Sequence, residues 1–419
     1  MSKKTDKRAK QGANSRAARW TLRPWHGAAF LLGALVVGGG VVLVAKHGRP
    51  SSPPPSTGGV VRSQPQPSWG HLEYTTIDLQ RPDESIVIGN APLPPTVWQF
   101  DHCTEQQLID LFTTNGLTAE QTRLLTNKDC WTATSSGWKV LPPREVVRSL
   151  GSSARQRINA ELRKTPANGA SAHAFRIPEE KFGSWLAESG LDEDKRALVR
   201  EMSYRQDDMV CFSDYEELEL QCSPDERRCL AKAFSRAPAL LMSLRVTPDS
   251  DIDALARYWG GAGRGKSMRP FLESLTRVPG GASVSVSHFF PAFARLRLYT
   301  YPDPELDHMS VRQDCYWTGL NFSRETPDNR FMDEETVKRI LLTEYTQVKT
   351  GWVFGDLILL LENGQIATHL CVYVADDVVF TKNGVATTTP WVLMKIPDVV
   401  ALYRAETGNP IEVVGLRRK

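Results

Sequence analysis

Cys315 follows Asp314 and precedes a short apolar-patterned run, Tyr316, Trp317, Leu320 and Phe322, so the sequence predicts a thiol at a helix N-terminus. There the positive end of the helix dipole favours thiolate, the form of cysteine that attacks a carbonyl carbon. Downstream, His369 lies in the alternating run 367–374, whose period of two puts His369, Cys371 and Tyr373 on one face of a strand. An imidazole on a rigid strand is a good general base. The next run, 378–383, can return antiparallel after a short turn, which brings Thr381 and Asn383 to one face near His369. Either can orient the ring; Asn383 is the better chemical choice, because its amide oxygen accepts a ring N–H. The chemistry open to these residue types is attack on an amide, with Cys315 as nucleophile and His369 moving the proton.

Residues 314–383 resemble the NlpC-type cell-wall cysteine peptidases, within the wider papain-like hydrolases. The matching marks are Asp314-Cys315 opening a helix, Gly355-Asp356-Leu357 leading into an apolar strand, and His369 followed by Val372-Tyr373-Val374. The chain departs from the family at Tyr316-Trp317, where a small pair is usual, and at Cys371, where glycine usually stands. By the family's spacing the third polar residue falls on Thr381. The resemblance is confined to the C-terminal third. It implies a papain-like α+β domain that cleaves an amide in the cell envelope, such as a peptidoglycan peptide, with Cys315, His369 and either Asn383 or Thr381 as the catalytic residues. The Cys315 backbone N–H would help to stabilise the oxyanion, and no cofactor or metal is implied.

A working pair requires the Cys315 sulfur within about 3–4 Å of a ring nitrogen of His369. If Cys315 is buried away from any cleft, the enzyme readings fail together. Two rivals stay open. One is a non-catalytic envelope interaction protein that keeps a papain-like fold as a binding surface, which Tyr316, Trp317 and Cys371 favour. The other is a transglutaminase-like acyl transferase with Asp376 or Asp377 as the carboxylate. His288 and His308 have no spacing that recommends them as the base.

The elements that must position these residues are read from composition and period. Residues 1–26 form a basic tail, with Lys3, Lys4, Lys7, Arg8, Lys10, Arg16, Arg19 and Arg23 against Asp6 alone. The whole chain is only +3, so the remainder is acidic by four charges. An acidic body argues against nucleic acid as a partner, since that needs a clustered basic surface. Residues 27–45 carry no charge, and at about 1.5 Å per residue they reach roughly the 30 Å of a bilayer core. The expectation is a transmembrane helix, with the basic tail cytoplasmic and the body outside the inner (plasma) membrane. Residues 46–68 are a Pro- and Ser-rich linker.

From 69 to 280 apolar residues recur at three-and-four spacing, as in Leu108-Leu111-Phe112, Val146-Val147-Leu150 and Leu230-Phe234-Leu240-Leu241, and a mainly helical domain is expected. From 281 to 419 the texture changes. SVSVSHFF and ARLRLYTY alternate as strands do, and LILLL, ATHLCVYV and DVVFT are short β-type runs. The expected class is therefore α+β: an N-terminal membrane helix, a helical middle domain and a papain-like domain with a small antiparallel sheet.

Seven cysteines, Cys103, Cys130, Cys211, Cys222, Cys229, Cys315 and Cys371, could form disulfides outside the cytoplasm, although an odd number leaves one free. No metal-ligand spacing is present. The run 260–267 satisfies G-x-x-x-x-G-K-S, but a phosphate loop must follow a strand, whereas 251–259 reads as helix. No nucleotide is expected.

Overall fold

The computed structural model describes residues 21–22 and 67–419, apart from 87, 89–94, 114–115, 166, 169–170, 172–173, 207–208, 262–263, 304–305 and 307–312. Strand β1 (Thr21–Leu22) belongs to the large C-terminal sheet, and β2 (His71–Leu79) begins a three-stranded one.

Two small α/β units follow. In the first, β3 (Trp98–Asp101), β4 (Trp131–Ala133) and β5 (Gly137–Val140) pair antiparallel in the order β3-β5-β4. Phe112, on helix Glu105–Thr113, packs against Trp98, Phe100 and Trp131 to centre its core. Helix Ala119–Leu125 begins where Thr118 and Gln121 exchange side-chain and backbone hydrogen bonds in a capping box.

In the second unit β6 (Phe175–Pro178), β7 (Tyr204–Gln206) and β8 (Met209–Phe212) run in the order β6-β8-β7. One face carries an aromatic core of Phe175, Trp185, Phe212, Tyr215 and Phe234.

Strand β9 (Ala237–Val246) then pairs with β2 over the whole of its nine residues, and β10 (Ala282–Ser285) takes its other edge. Helices Ile252–Trp259 and Gly265–Thr276 pack beside it in the same core as the C-terminal sheet.

That sheet holds β11 (Tyr345–Val348), β12 (Leu357–Glu362), β13 (Ile366–Ala375), β14 (Val378–Lys382), β15 (Trp391–Lys395) and β16 (Ile411–Arg418), ordered β11-β16-β12-β13-β14-β15. β12 is apolar along five successive residues because both faces are covered, so alternation is lost. Leu357, Leu359, Leu370, Val372 and Phe380 face helix Cys315–Asn321 and its neighbours. Ile358, Leu360, Cys371, Tyr373 and Val379 face helix Ile396–Thr407. The β12–β13 turn has positive φ at Asn363 (51°) and Gly364 (69°), which these two residues adopt readily.

Several expectations are corrected. Among the described residues no helix is long and apolar enough to cross a membrane, so the fold has no observed N-terminal span; residues 27–45 lie outside the described residues. Thr21 and Leu22, expected across a membrane from the C-terminal domain, instead pair in parallel with Ile366 and Ala367 of β13. The middle region, in which helix outnumbers strand, also carries the strands β2 to β9, which its spacing did not announce. The spacing Leu230-Phe234-Leu240-Leu241 spans two elements, helix Pro224–Phe234 and then β9. In the other direction, the first half of the strand-like run ARLRLYTY lies in helix Ala292–Arg297, and SVSVSHFF leaves β10 for a 3-10 turn at Val286–Phe289. The expected boundary at 280/281 falls between β9 and β10 of one sheet.

Candidate active site

Helix Cys315–Asn321 starts with Asp314 as N-cap, whose carboxylate accepts the Trp317 N–H at 2.7 Å. Its far end is tied down by Asn321, which donates to Trp317 O and accepts the Asp328 N–H at 2.7 Å. Gly319 lets the helix lie against β13: a Cβ there would come within 3.0 Å of the Leu370 side chain. These contacts hold Cys315, the first residue of the helix, in the interior at 3% exposure. Burial, and next the Asp314 charge, push its thiol well above the usual range, while the Leu370 N–H directed at the sulfur acts the other way.

The strand pair explains that approach. β13 and β14 pair from Val372–Phe380 towards their turn, and Leu370 lies beyond the last pair. Lys382, fully buried beside the gap, donates from Nζ to Gly384 O and Ala386 O at 2.9 Å each, and its charge lowers the Cys315 thiol to a lesser degree.

His369 is also fully buried. Its Nε2 lies 2.7 Å from Thr381 Oγ1, and the Thr381 hydroxyl donates to Asn383 Oδ1 at 3.1 Å. The hydroxyl has one proton to give, so this network assigns the proton of the neutral imidazole to Nε2 and leaves the lone pair on Nδ1. Nδ1 has no hydrogen-bond partner. The ring stacks on Tyr403 of helix Ile396–Thr407, with centroids 4.4 Å apart and planes at 21°. Burial lowers the imidazole pKa to about 3, so the ring is neutral at physiological pH.

The structure therefore brings His369, Thr381 and Asn383 into one chain. Thr381, not Asn383, touches the ring; Asn383 stands behind it, with its NH2 on the Met394 sulfur at 3.0 Å. Cys315 reaches the backbone beside His369 through the Leu370 N–H, but no hydrogen bond joins its sulfur to the ring. The thiol meets β13 at the backbone, close enough to act on Cys371 and Tyr403. Leu370 points towards helix Cys315–Asn321, whereas the His369 ring lies on the other face with Tyr403.

No family model, curated protein or solved structure matches this chain.

The remaining candidates sit elsewhere. Asp376 occupies the β13–β14 turn at φ 56° and accepts the Tyr74 hydroxyl at 2.9 Å, and Asp377 pairs with Lys395 at 3.2 Å, so neither carboxylate serves His369. His288 lies in the Val286–Phe289 turn beside Phe271, and His308 lies outside the described residues. Asp356 of the Gly-Asp-Leu segment is structural. It takes Arg417 on both carboxylate oxygens, at 2.9 and 2.6 Å, and accepts the Val353 N–H. None of the seven cysteines is in a disulfide. Helix Ile252–Trp259, not a strand, leads into the glycine-rich run 260–267. Among the described residues no cluster of His, Cys, Asp and Glu could hold a metal.

Sequence reasoning missed Tyr403 and Lys382. Tyr403 is on a helix distant in sequence and carried no local signal. Lys382 did carry one, as a lysine inside the apolar run 378–382.

Proposed function

We propose that this chain is a cysteine hydrolase acting on a peptide-type amide. The observation that carries the reading is the state of His369: a buried neutral imidazole, fixed at Nε2 by Thr381, with Nδ1 left as an unpartnered base beside the thiol's backbone contact. In this reading the Cys315 sulfur attacks the carbonyl carbon as Nδ1 takes the thiol proton. The proton then passes to the leaving amine, and water hydrolyses the thioester. Burial raises the thiol and lowers the imidazole, which favours a neutral resting pair over thiolate and imidazolium. Substrate entry must then bring sulfur and Nδ1 together. The likeness of residues 314–383 to NlpC-type peptidases supports an amide substrate. The envelope setting rested on that likeness together with the expected membrane span, and is not carried forward.

A second reading, a non-catalytic protein with a papain-like fold, is favoured by one specific fact: thiol and ring are both buried and make no hydrogen bond to each other. Selective alkylation separates the two. Iodoacetamide should modify Cys315 ahead of the equally buried Cys371, and Cys315 should lose that advantage in His369→Ala. Equal, His369-independent rates at the two cysteines would favour the binding protein.

A further inference from the structure

Far from Cys315, the second α/β unit buries a positive charge without an evident counter-charge. Across its sheet, Arg176 of β6 pairs in register with Cys211 of β8, and Cys211 with Tyr204 of β7. The three side chains thus form a row on one face, while Phe175, Ile177, Val210 and Phe212 supply the aromatic core on the other. Helix Ser152–Leu162 packs along β7, and Arg163 follows directly at its C-cap.

Arg176 is 1% exposed, and its Nε, Nη1 and Nη2 all lack a hydrogen-bond partner. Arg163 is half-buried. It donates from Nη2 to Gln206 at 2.9 Å, but its Nε is buried without a partner. The remaining polar groups of the row are neutral: Tyr204 and Ser213 share a hydrogen bond of 3.0 Å, and burial raises the Tyr204 phenol to about 12. Burial and the Arg176 charge both push the Arg163 pKa down, so the two cations act on each other.

The other buried arginines nearby show what is missing. Arg155 has Asp214 and the carbonyls of Val147 and Leu150. Arg236 has the Glu188 carboxylate at 3.2 Å and its carbonyl at 2.9 Å. An ion stripped of water is held only when paired and hydrogen-bonded, and among the described residues Arg176 has neither kind of partner. A guanidinium fork with a second guanidinium beside it suits two oxygens of one anion.

We infer that Arg176 and Arg163 form a buried receptor for a small oxyanion, a phosphate or a carboxylate, seated over the Arg176–Cys211–Tyr204 row. Such a ligand neutralises the pair and binds the native state alone, so it must stabilise the fold as its concentration rises.

The test is thermal unfolding of the full chain in sodium phosphate, sodium acetate and sodium chloride at matched ionic strength. Phosphate or acetate should raise Tm with the logarithm of concentration beyond the effect of chloride; phosphate alone would identify a phosphate site, and acetate a carboxylate site. Arg176→Met, which keeps an apolar stem, should abolish that dependence and leave Tm in chloride unchanged or higher. Arg163→Met should weaken the apparent affinity by about tenfold or more. If Arg176→Met does not fold, the wild-type titration and Arg163→Met decide alone. Wild-type Tm that follows chloride in every salt would overturn the inference, as would an unchanged anion response in either variant. So would destabilisation by Asp207→Asn/Asp208→Asn that disappears in the Arg176→Met background, because those aspartates would then be the counter-ions.

Discussion

The His369 ring is held by two contacts that do different work, a hydrogen bond to Thr381 and a stack on Tyr403. Thr381→Val keeps the shape but leaves a buried ring N–H unpaired, which should cost about 1–3 kcal/mol in urea unfolding. Asn383→Ala, one link further out, should cost less. The depressed imidazole pKa also sets a pH dependence. Folded His369 stays neutral down to about 3, whereas the unfolded side chain protonates near 6.5, so the unfolded state binds more protons between those values. Stability should therefore be complete above pH 6.5 and fall by roughly 4 kcal/mol as the pH drops towards 3. In His369→Gln that part of the slope should vanish from denaturation curves taken across the range. At Cys315 the Asp314 charge opposes thiolate. Asp314→Asn keeps a capping oxygen, so it should shift the Cys315 alkylation profile to lower pH with little loss of stability. The alternation of 367–374 and 378–383 made the His369–Thr381 neighbourhood legible in the sequence. It also implied the opposite faces of His369 and Leu370, but which face the Cys315 helix would cover was not legible, because that is set by long-range packing.

Elements were legible where they were long or apolar. β12, β13 and β14 match the runs LILLL, ATHLCVYV and DVVFT, since central strands buried on both faces cannot be polar. They were not legible where strands are three or four residues long, as in β4 and β7, because so short a run fits either period. Helix Ala292–Arg297 was misread because alternating Arg and Leu imitates a strand over one and a half turns. Gly355-Asp356-Leu357 reads differently at this scale: its carboxylate fastens β16 through Arg417 and fixes the turn before β12. Asp356 is 4% exposed but the Arg417 side chain is 39% exposed, which weakens the pair. Asp356→Asn should cost about 2 kcal/mol in chemical denaturation, less than a fully buried pair would. Arg417→Met should cost a similar amount, and the double variant should show the two losses to be non-additive.

At the scale of the molecule, the C-terminal third is not self-contained. β9, with β2 and β10 on its edges, and helices Ile252–Trp259 and Gly265–Thr276 share one apolar core with the sheet that carries His369. Residues 281–419 expressed alone would expose that core and lose the partner of β10, so they should lack cooperative unfolding, whereas residues 67–419 should retain it. The change of texture near 281 suggested a boundary because it marks composition, whereas the core depends on which surfaces meet. The function proposed for this molecule turns on whether His369 acts on Cys315. The most direct test is the rate of iodoacetamide modification of Cys315, followed by mass spectrometry from pH 6 to 10 in wild type, Cys315→Ser and His369→Ala. Iodoacetamide is itself an amide and must enter where a substrate would, so Cys315 should react faster than Cys371 at pH 7, and His369→Ala should remove the difference. A Cys315 that reacts no faster than Cys371, with a profile that His369→Ala leaves unchanged, would contradict the claim.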